Sequence, residues 1–372
     1  MSVKDANEVT MDAVECNDGE RDWSIPVKIF DSGRKGPSFL VQAGIHGGEQ
    51  TSIEVALRLG ELMGERSLVR GRLLIAPFAC LPGVLRGSNT WSDVISKNQV
   101  WPGKPNGNPK ERLYHALAED LLPRATHVVD LHCFNHYKST TAFAPVDDPE
   151  SLELAVAGDL PFTLVQDPEQ YSEPRREPGE GDNLPKITTT GHCYSLGKPS
   201  VLIEFPGGLV NFPGGAMNRR KPNPGIRALR RMMVKLEMLE PISEDENKPA
   251  ETTRLRVHEQ EPDEAVDTPM HDVRAHSDGL FVQDMDHAVS GDWLEEGQVF
   301  GKLFETDQLN ALPVKSPATG RLFRVGARCT GGDIHAFARE GTMLAQVIEL
   351  ERPEQQVDLY RSEVSMSGPA LK

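Results

Sequence analysis

Apolar positions keep one kind of spacing through most of the chain and another near its end. Residues 23–30 alternate loosely, as a half-buried strand does, and Asp31-Ser32-Gly33 turns the chain. The run 38–44 (Ser-Phe-Leu-Val-Gln-Ala-Gly) suits a central strand. From 51 to 63, Ile53, Val55, Ala56, Leu57, Leu59 and Leu62 fall on one helical face, and Gly64 is a natural stop. A second apolar strand covers 72–78. Residues 81–108, rich in Gly, Pro, Asn and Ser without a period, read as a long loop, a kind that is usually functional or disordered inside a compact domain, and its position after a strand favours the first. A helix over 111–122 (Leu113, Ala116, Leu117, Leu121, Leu122), closed by Pro123, leads to a strand over 126–131. Strands alternating with helices predict an α/β fold: a mainly parallel sheet covered by helices.

Further on, a helix is expected at 149–157 and a strand at 200–205, broken by Pro206-Gly207-Gly208. A basic amphipathic helix follows over 224–239, with Ile226, Leu229, Met232, Met233 and Leu236 on its apolar face. Residues 166–190, crowded with Pro, Glu, Arg and Gly, read as a surface excursion near the strand ends. The spacing then changes. Short apolar segments at 273–275, 280–282, 299–303, 321–325 and 343–348 are separated by turn residues, with no helix-period run among them. Two similar pieces, 275–280 and 316–322, each place a glycine-ended turn before an apolar strand, which predicts a small all-β module with an internal near-repeat. The expected organisation is a mobile N-terminal segment (1–24), an α/β domain (25–242), an acidic connector (243–268), a β domain (269–350) and a polar tail (351–372).

Composition narrows the picture. The 372 residues are 38% hydrophobic and 26% charged, ordinary for a soluble protein, and no run approaches the roughly 18 apolar residues of a membrane span. A formal net charge of −16 disfavours nucleic acid and anionic membrane as partners. Between Glu237 and Asp267 there are 11 acidic residues against Lys248, Arg254 and Arg256, the mark of a solvated connector. The five cysteines are scattered and form no C-x-x-C pair, so neither a disulfide framework nor a cysteine zinc knuckle is expected. The acidic first twenty residues resemble no secretory or transit signal, which makes the cytoplasm the expected location.

The chemistry collects at strand ends. In Gly44-Ile45-His46-Gly47-Gly48-Glu49 an imidazole and a carboxylate three residues apart can meet on one ion if the backbone between them turns tightly, and two glycines permit that turn. His132, closing Val128-Val129-Asp130-Leu131-His132, is the expected third zinc ligand. Two histidines and one carboxylate leave a fourth position for water, the arrangement of a catalytic zinc. Glu204, in the apolar strand Val201-Leu202-Ile203-Glu204-Phe205, is the expected acid/base acting on that water; a buried structural ion pair is its plainer reading. Asp130 is either a hydrogen-bonding partner of a ligand imidazole or a structural acid. His115, His127, His136 and His192 read as packing or surface residues, and Cys133 as core.

Together these residues resemble the succinylglutamate desuccinylase/aspartoacylase family, itself similar to zinc carboxypeptidases. Besides the three segments above, Asn98-Gln99-Val100-Trp101-Pro102-Gly103 is similar to the family's N-R-x-F-P-G. The resemblance implies a zinc-carboxypeptidase-like sheet flanked by helices and a C-terminal barrel-sandwich-like β domain. It implies zinc on His46, Glu49 and His132, Glu204 as general acid/base, Arg86 polarising the scissile carbonyl, and substrate contacts from Asn98 and Gln99. Gln99 departs from the pattern, since the family has an arginine there that clamps a substrate carboxylate. Either Arg175, Arg176 or Lys186 replaces that charge, or the substrate lacks the anionic group. The C-terminal module offers no lysine at a hairpin tip, so a carrier role is not expected; a rim over the site, and a possible homo-oligomer surface, are. The implied activity is zinc-dependent hydrolysis of the linear amide of a small N-acyl amino acid by metal-activated water. A carboxypeptidase-like peptidase, or a zinc-bound binding protein without activity, are the alternatives.

Overall fold

The computed structural model describes residues 7–86, 100–134, 139–166, 188–206, 224–241, 248–258, 269–284, 290–306, 310–325 and 335–360. It forms two compact units: Met1–Cys133 with Ala142–Asp159 and Val165–Ala250, and Phe134–Thr141 with Leu160–Leu164 and Glu251–Lys372. No helix among the described residues is long and apolar enough to cross a membrane.

The first unit holds the strands Glu8–Asn17 (β1), Asp22–Asp31 (β2), Ser38–Ala43 (β3), Arg72–Ala76 (β4), His127–Phe134 (β5), most of Thr141–Pro145 (β6), and Ser200–Pro206 (β8); Phe162–Gln166 (β7) divides between the units. Its helices are Gln50–Gly64 (α1), Leu81–Arg86 (α2), Pro109–Ala116 (α3), Pro149–Ala157 (α4), Thr189–Ser195 (α5) and Pro224–Lys235 (α6). The strands lie in the order β1-β2-β4-β3-β5-β8-β6. β3 runs parallel to both β4 and β5, while β1 and β2 add an antiparallel hairpin at the edge. This is the expected α/β sheet with a parallel centre. All six residues of β3 are buried, which fits a continuous apolar run with neighbours on both sides. Helix α1 packs on β3 and β4 through Ile53, Val55, Ala56, Leu59 and Met63, and α6 packs on α1 and α4. Helix α3 starts in a capping box: Asn108 Oδ1 accepts from the Glu111 N–H (3.0 Å) while Glu111 Oε2 accepts from the Asn108 N–H (2.9 Å). It then widens into a π turn at Leu117–Leu121.

In the second unit two four-stranded antiparallel sheets share one core. Met270–Arg274 (β10), Trp293–Leu294 (β12), Gly320–Val325 (β15) and Met343–Glu349 (β17) form one, ordered β10-β17-β15-β12. Gly279–Gln283 (β11), Val299–Glu305 (β13), Ala311–Lys315 (β14) and His335–Ala338 (β16) form the other, ordered β14-β13-β11-β16. Leu294, Leu322 and Val347 from the first sheet meet Phe281, Phe300 and Leu303 from the second. The two glycine-ended turns of the near-repeat lead into β11 and β15.

Five segments differ from the pattern reading. Residues 8–17, expected in a mobile segment, form β1. Its side chains are mostly exposed and only Val14 and Cys16 enter the core, so no alternation shows in the sequence. Thr253–His258 (β9), inside the expected connector, pairs in parallel with Gln356–Tyr360 (β18), inside the expected polar tail. β9 buries Thr253, Leu255 and Val257 and leaves Arg254, Arg256 and His258 half-buried on its other face, an alternation masked by the surrounding charge. Helix α2 occupies the start of the expected loop 81–108, and α5 contains His192, expected in a loop.

Candidate metal centre

Strand β3 delivers the chain to the site loop. The Ala79 and Cys80 N–H groups, after β4, donate to the carbonyls of Ala43 and Gly44 (2.9 Å each), which joins the carboxyl ends of the two parallel strands. Gly44 takes φ +70°, and a Cβ there would crowd the Pro77 carbonyl. Gly47 is required for a different reason: a Cβ would overlap the Gly83 carbonyl of α2, so two backbones meet here without side chains. The turn closes when the Glu49 N–H donates to the His46 carbonyl (3.2 Å). Glu49 stands at the N-cap of α1 but its side chain caps nothing. The carboxylate turns back into the loop instead, close to the helix N-terminus, which favours its charge.

There it meets both histidines. His46 Nδ1 lies 2.7 Å from Glu49 Oε1, and His132 Nδ1 lies 3.0 Å from Glu49 Oε2. The two rings contact edge to face, with centroids 5.0 Å apart. Asp130 and His132 share a face of β5, as residues two apart on a strand must, and His132 Nε2 donates to Asp130 Oδ2 (3.0 Å). Glu49 Oε2 also accepts from the Cys133 N–H (3.2 Å). Burial pushes the Glu49 carboxyl up, but the His46 and His132 rings more than offset this and hold it down at about 2. Burial pushes the His132 imidazole down, and Asp130 and Glu49 reverse this, leaving it well above its ordinary range.

Glu204 lies on β8, the neighbour of β5 in the sheet. Val201, Ile203 and Phe205 point into the core on one face and Glu204 points to the other. Its Oε2 is buried and has no hydrogen-bond partner among the described residues. Burial, partly countered by His132 and reinforced by Glu49 and Asp130, lifts its carboxyl to about 8.

The structure thus gathers His46, Glu49, His132 and Asp130, with Glu204 within reach of their charges. Arg86 ends α2, the helix that backs Gly47, and is exposed. Asn98, Gln99, His136, Arg175, Arg176 and Lys186 lie outside the described residues. Three other histidines singled out in the sequence stand elsewhere: His115 lies in the last turn of α3, His127 pairs with Thr126 Oγ1 and Glu150, and His192 stacks on Trp101 with centroids 5.8 Å apart. Two contacts of the site went unread in the sequence. The Cys133 main chain carries no side-chain signal. Gln42 does: an amide in the run Phe39-Leu40-Val41-Gln42-Ala43, its Nε2 donates to Asp130 Oδ1 (3.2 Å).

Two imidazole nitrogens and a carboxylate oxygen within 4.8 Å of one another form a donor set suited to zinc, whose ligands at about 2.0–2.2 Å stand a little over 3 Å apart. His46, Glu49 and His132 are the only such cluster among the described residues.

Residues 35–217 match the succinylglutamate desuccinylase/aspartoacylase catalytic domain. A curated relative, N-alpha-acetyl-L-2,4-diaminobutyric acid deacetylase of Halomonas elongata, is 30% identical over 142 residues, 37% of this chain. The match spans 41% of the relative's length. Among solved structures, an aspartoacylase family protein from Mesorhizobium loti superposes with a TM-score of 0.56 at 20% identity, covering 93% of this chain and 100% of that one. The product-bound ectoine utilization protein EutE (DoeB) from Ruegeria pomeroyi gives 0.54 at 19% identity, covering 94% and 97%. At such identities the likeness is one of fold. The family match thus lies in residues 35–217, which are similar to the succinylglutamate desuccinylase/aspartoacylase catalytic domain.

Proposed function

We propose that this protein is a zinc-dependent deacylase that hydrolyses the amide bond of an N-acyl amino acid or a related small N-acyl amine. The observation that carries the proposal is the convergence of His46, Glu49 and His132 beside Glu204, whose buried Oε2 has no hydrogen-bond partner among the described residues. The Halomonas relative, named for removing an acetyl group from an N-acetylated diamino acid, supports the choice of reaction.

His46, His132 and Glu49 would hold the ion, which would supply Lewis acidity for the scissile carbonyl and for water at that point. Asp130 keeps the His132 proton on Nε2, so Nδ1 is the nitrogen left to ligate. Glu204 takes a proton from the attacking water as the new carbon–oxygen bond forms, and gives it to the amine nitrogen as the carbon–nitrogen bond breaks. A carboxyl lifted towards neutrality suits a group that must both accept and return a proton. Arg86 is assigned to the scissile carbonyl, and Asn98 and Gln99 to the substrate, where Gln99 offers a neutral amide in place of a guanidinium. Residues 25–242 form the catalytic domain in this reading, and 269–350 a barrel-sandwich-like β domain.

Amine release from a panel of N-acetyl, N-succinyl and N-formyl amino acids tests the proposal. Wild type should release amine in a chelator-sensitive way. Glu204→Gln should keep its zinc and lose kcat by about 10²–10⁴-fold, the usual contribution of a positioned acid/base. A variant with zinc and full activity would remove Glu204 from the mechanism.

A further inference from the structure

Gln42 is fully buried in a strand that is buried throughout. It stands directly across from Asp130 in the parallel pairing of β3 with β5. Its Nε2 donates to Asp130 Oδ1 (3.2 Å) and to Thr189 Oγ1 (3.3 Å), where Thr189 is the first residue of α5. The amide cannot be turned over, because Oε1 would then face a carboxylate. In the orientation it keeps, Oε1 is buried with no hydrogen-bond partner among the described residues. An apolar side chain of the same length would fill the space without that orphan, so packing alone does not account for an amide here.

The contacts form a chain. Asp130 Oδ1 is taken by Gln42 and Oδ2 by His132 Nε2, so both oxygens of the carboxylate are engaged and its plane is fixed. His132 is held from behind, with Nδ1 turned to Glu49. We infer that Gln42 is a positioning residue for the metal-binding imidazole: through Asp130 it fixes the ring of His132, and through Thr189 it fastens that arrangement to α5. The inference rests on the zinc reading of the site proposed above.

Zinc affinity, measured by competition with a chromophoric chelator, tests it on wild type, Gln42→Met and Thr189→Val, alongside thermal unfolding of each in excess chelator. Gln42→Met keeps the volume and removes the donor to Asp130. Its zinc affinity, read where the metal-free protein is fully folded, should fall several-fold, less than the about 10–100-fold expected when the direct hydrogen-bond partner of a metal-ligating histidine is lost, and its unfolding midpoint should drop as the buried Asp130 carboxylate loses a donor. Thr189→Val should show a smaller loss in the same direction. A purely structural Gln42 would give a lower midpoint with zinc affinity unchanged, and that result overturns the inference. Should Gln42→Met fail to fold, Thr189→Val decides, and unaltered zinc affinity there is equally fatal. Failure of wild type to bind zinc would instead overturn the metal reading, and this inference with it.

Discussion

His127 opens strand β5 and His132 lies further along, near its carboxyl end. Both are buried, and both meet an acid. At the amino end, His127 Nε2 pairs with Glu150 Oε1 (2.9 Å), whose side chain is 63% exposed, and Nδ1 contacts the Thr126 hydroxyl (2.8 Å). At the carboxyl end, His132 lies between Glu49 and Asp130, whose side chains are only 6% and 0% exposed. The difference is one of place. Loops that follow parallel strands converge at the carboxyl ends, so side chains from β3, β5 and β8 reach a common point there. At the other end water screens Glu150, the only acid paired with His127 among the described residues.

The contrast can be broken by substitution. His132→Ala removes a ligand, and zinc catalysis depends on several kcal/mol of charge stabilisation at the metal, so kcat/KM for the best N-acyl substrate should fall on the order of 10³-fold or more. Asp130→Ala leaves the ligands in place but frees the ring; zinc affinity by chelator competition should weaken by about 10–100-fold. A third test concerns protons. Burial lifts the Glu204 carboxyl from 4.5 to about 8, so in the folded protein it keeps a proton that the unfolded chain releases. Its contribution to stability is therefore fully present below about pH 4.5 and lost as pH rises through about 8. In excess chelator, Glu204→Gln should gain thermal stability relative to wild type between pH 5 and 8.5; a difference independent of pH would contradict the lifted carboxyl. The smallest effect belongs to the amino end. Glu150→Ala removes a solvated partner, should cost less than about 1 kcal/mol in denaturant unfolding, and should leave turnover unchanged.

The parallel centre of the sheet and the residues of the candidate site were legible because each carries a local signal. His46 and Glu49 sit in a glycine-bearing loop behind a continuous apolar strand, and His132 and Glu204 interrupt or end apolar runs. What the sequence hid was relational. Gly47 is excused in the sequence as a turn former, yet its lack of a Cβ answers to the Gly83 backbone, distant in the chain. Gln42 looks like an isolated polar residue until β3 and β5 are set in register. β1 hides because most of its side chains face solvent, and β9 because charged residues surround its half-buried pattern.

Zinc content after exhaustive dialysis decides whether His46, Glu49 and His132 hold a metal. Wild type should retain about one zinc per chain, as three protein ligands provide, and the double variant His46→Ala/His132→Ala close to none. Wild type emerging without zinc, or the double variant retaining a full complement, would contradict a metal site there.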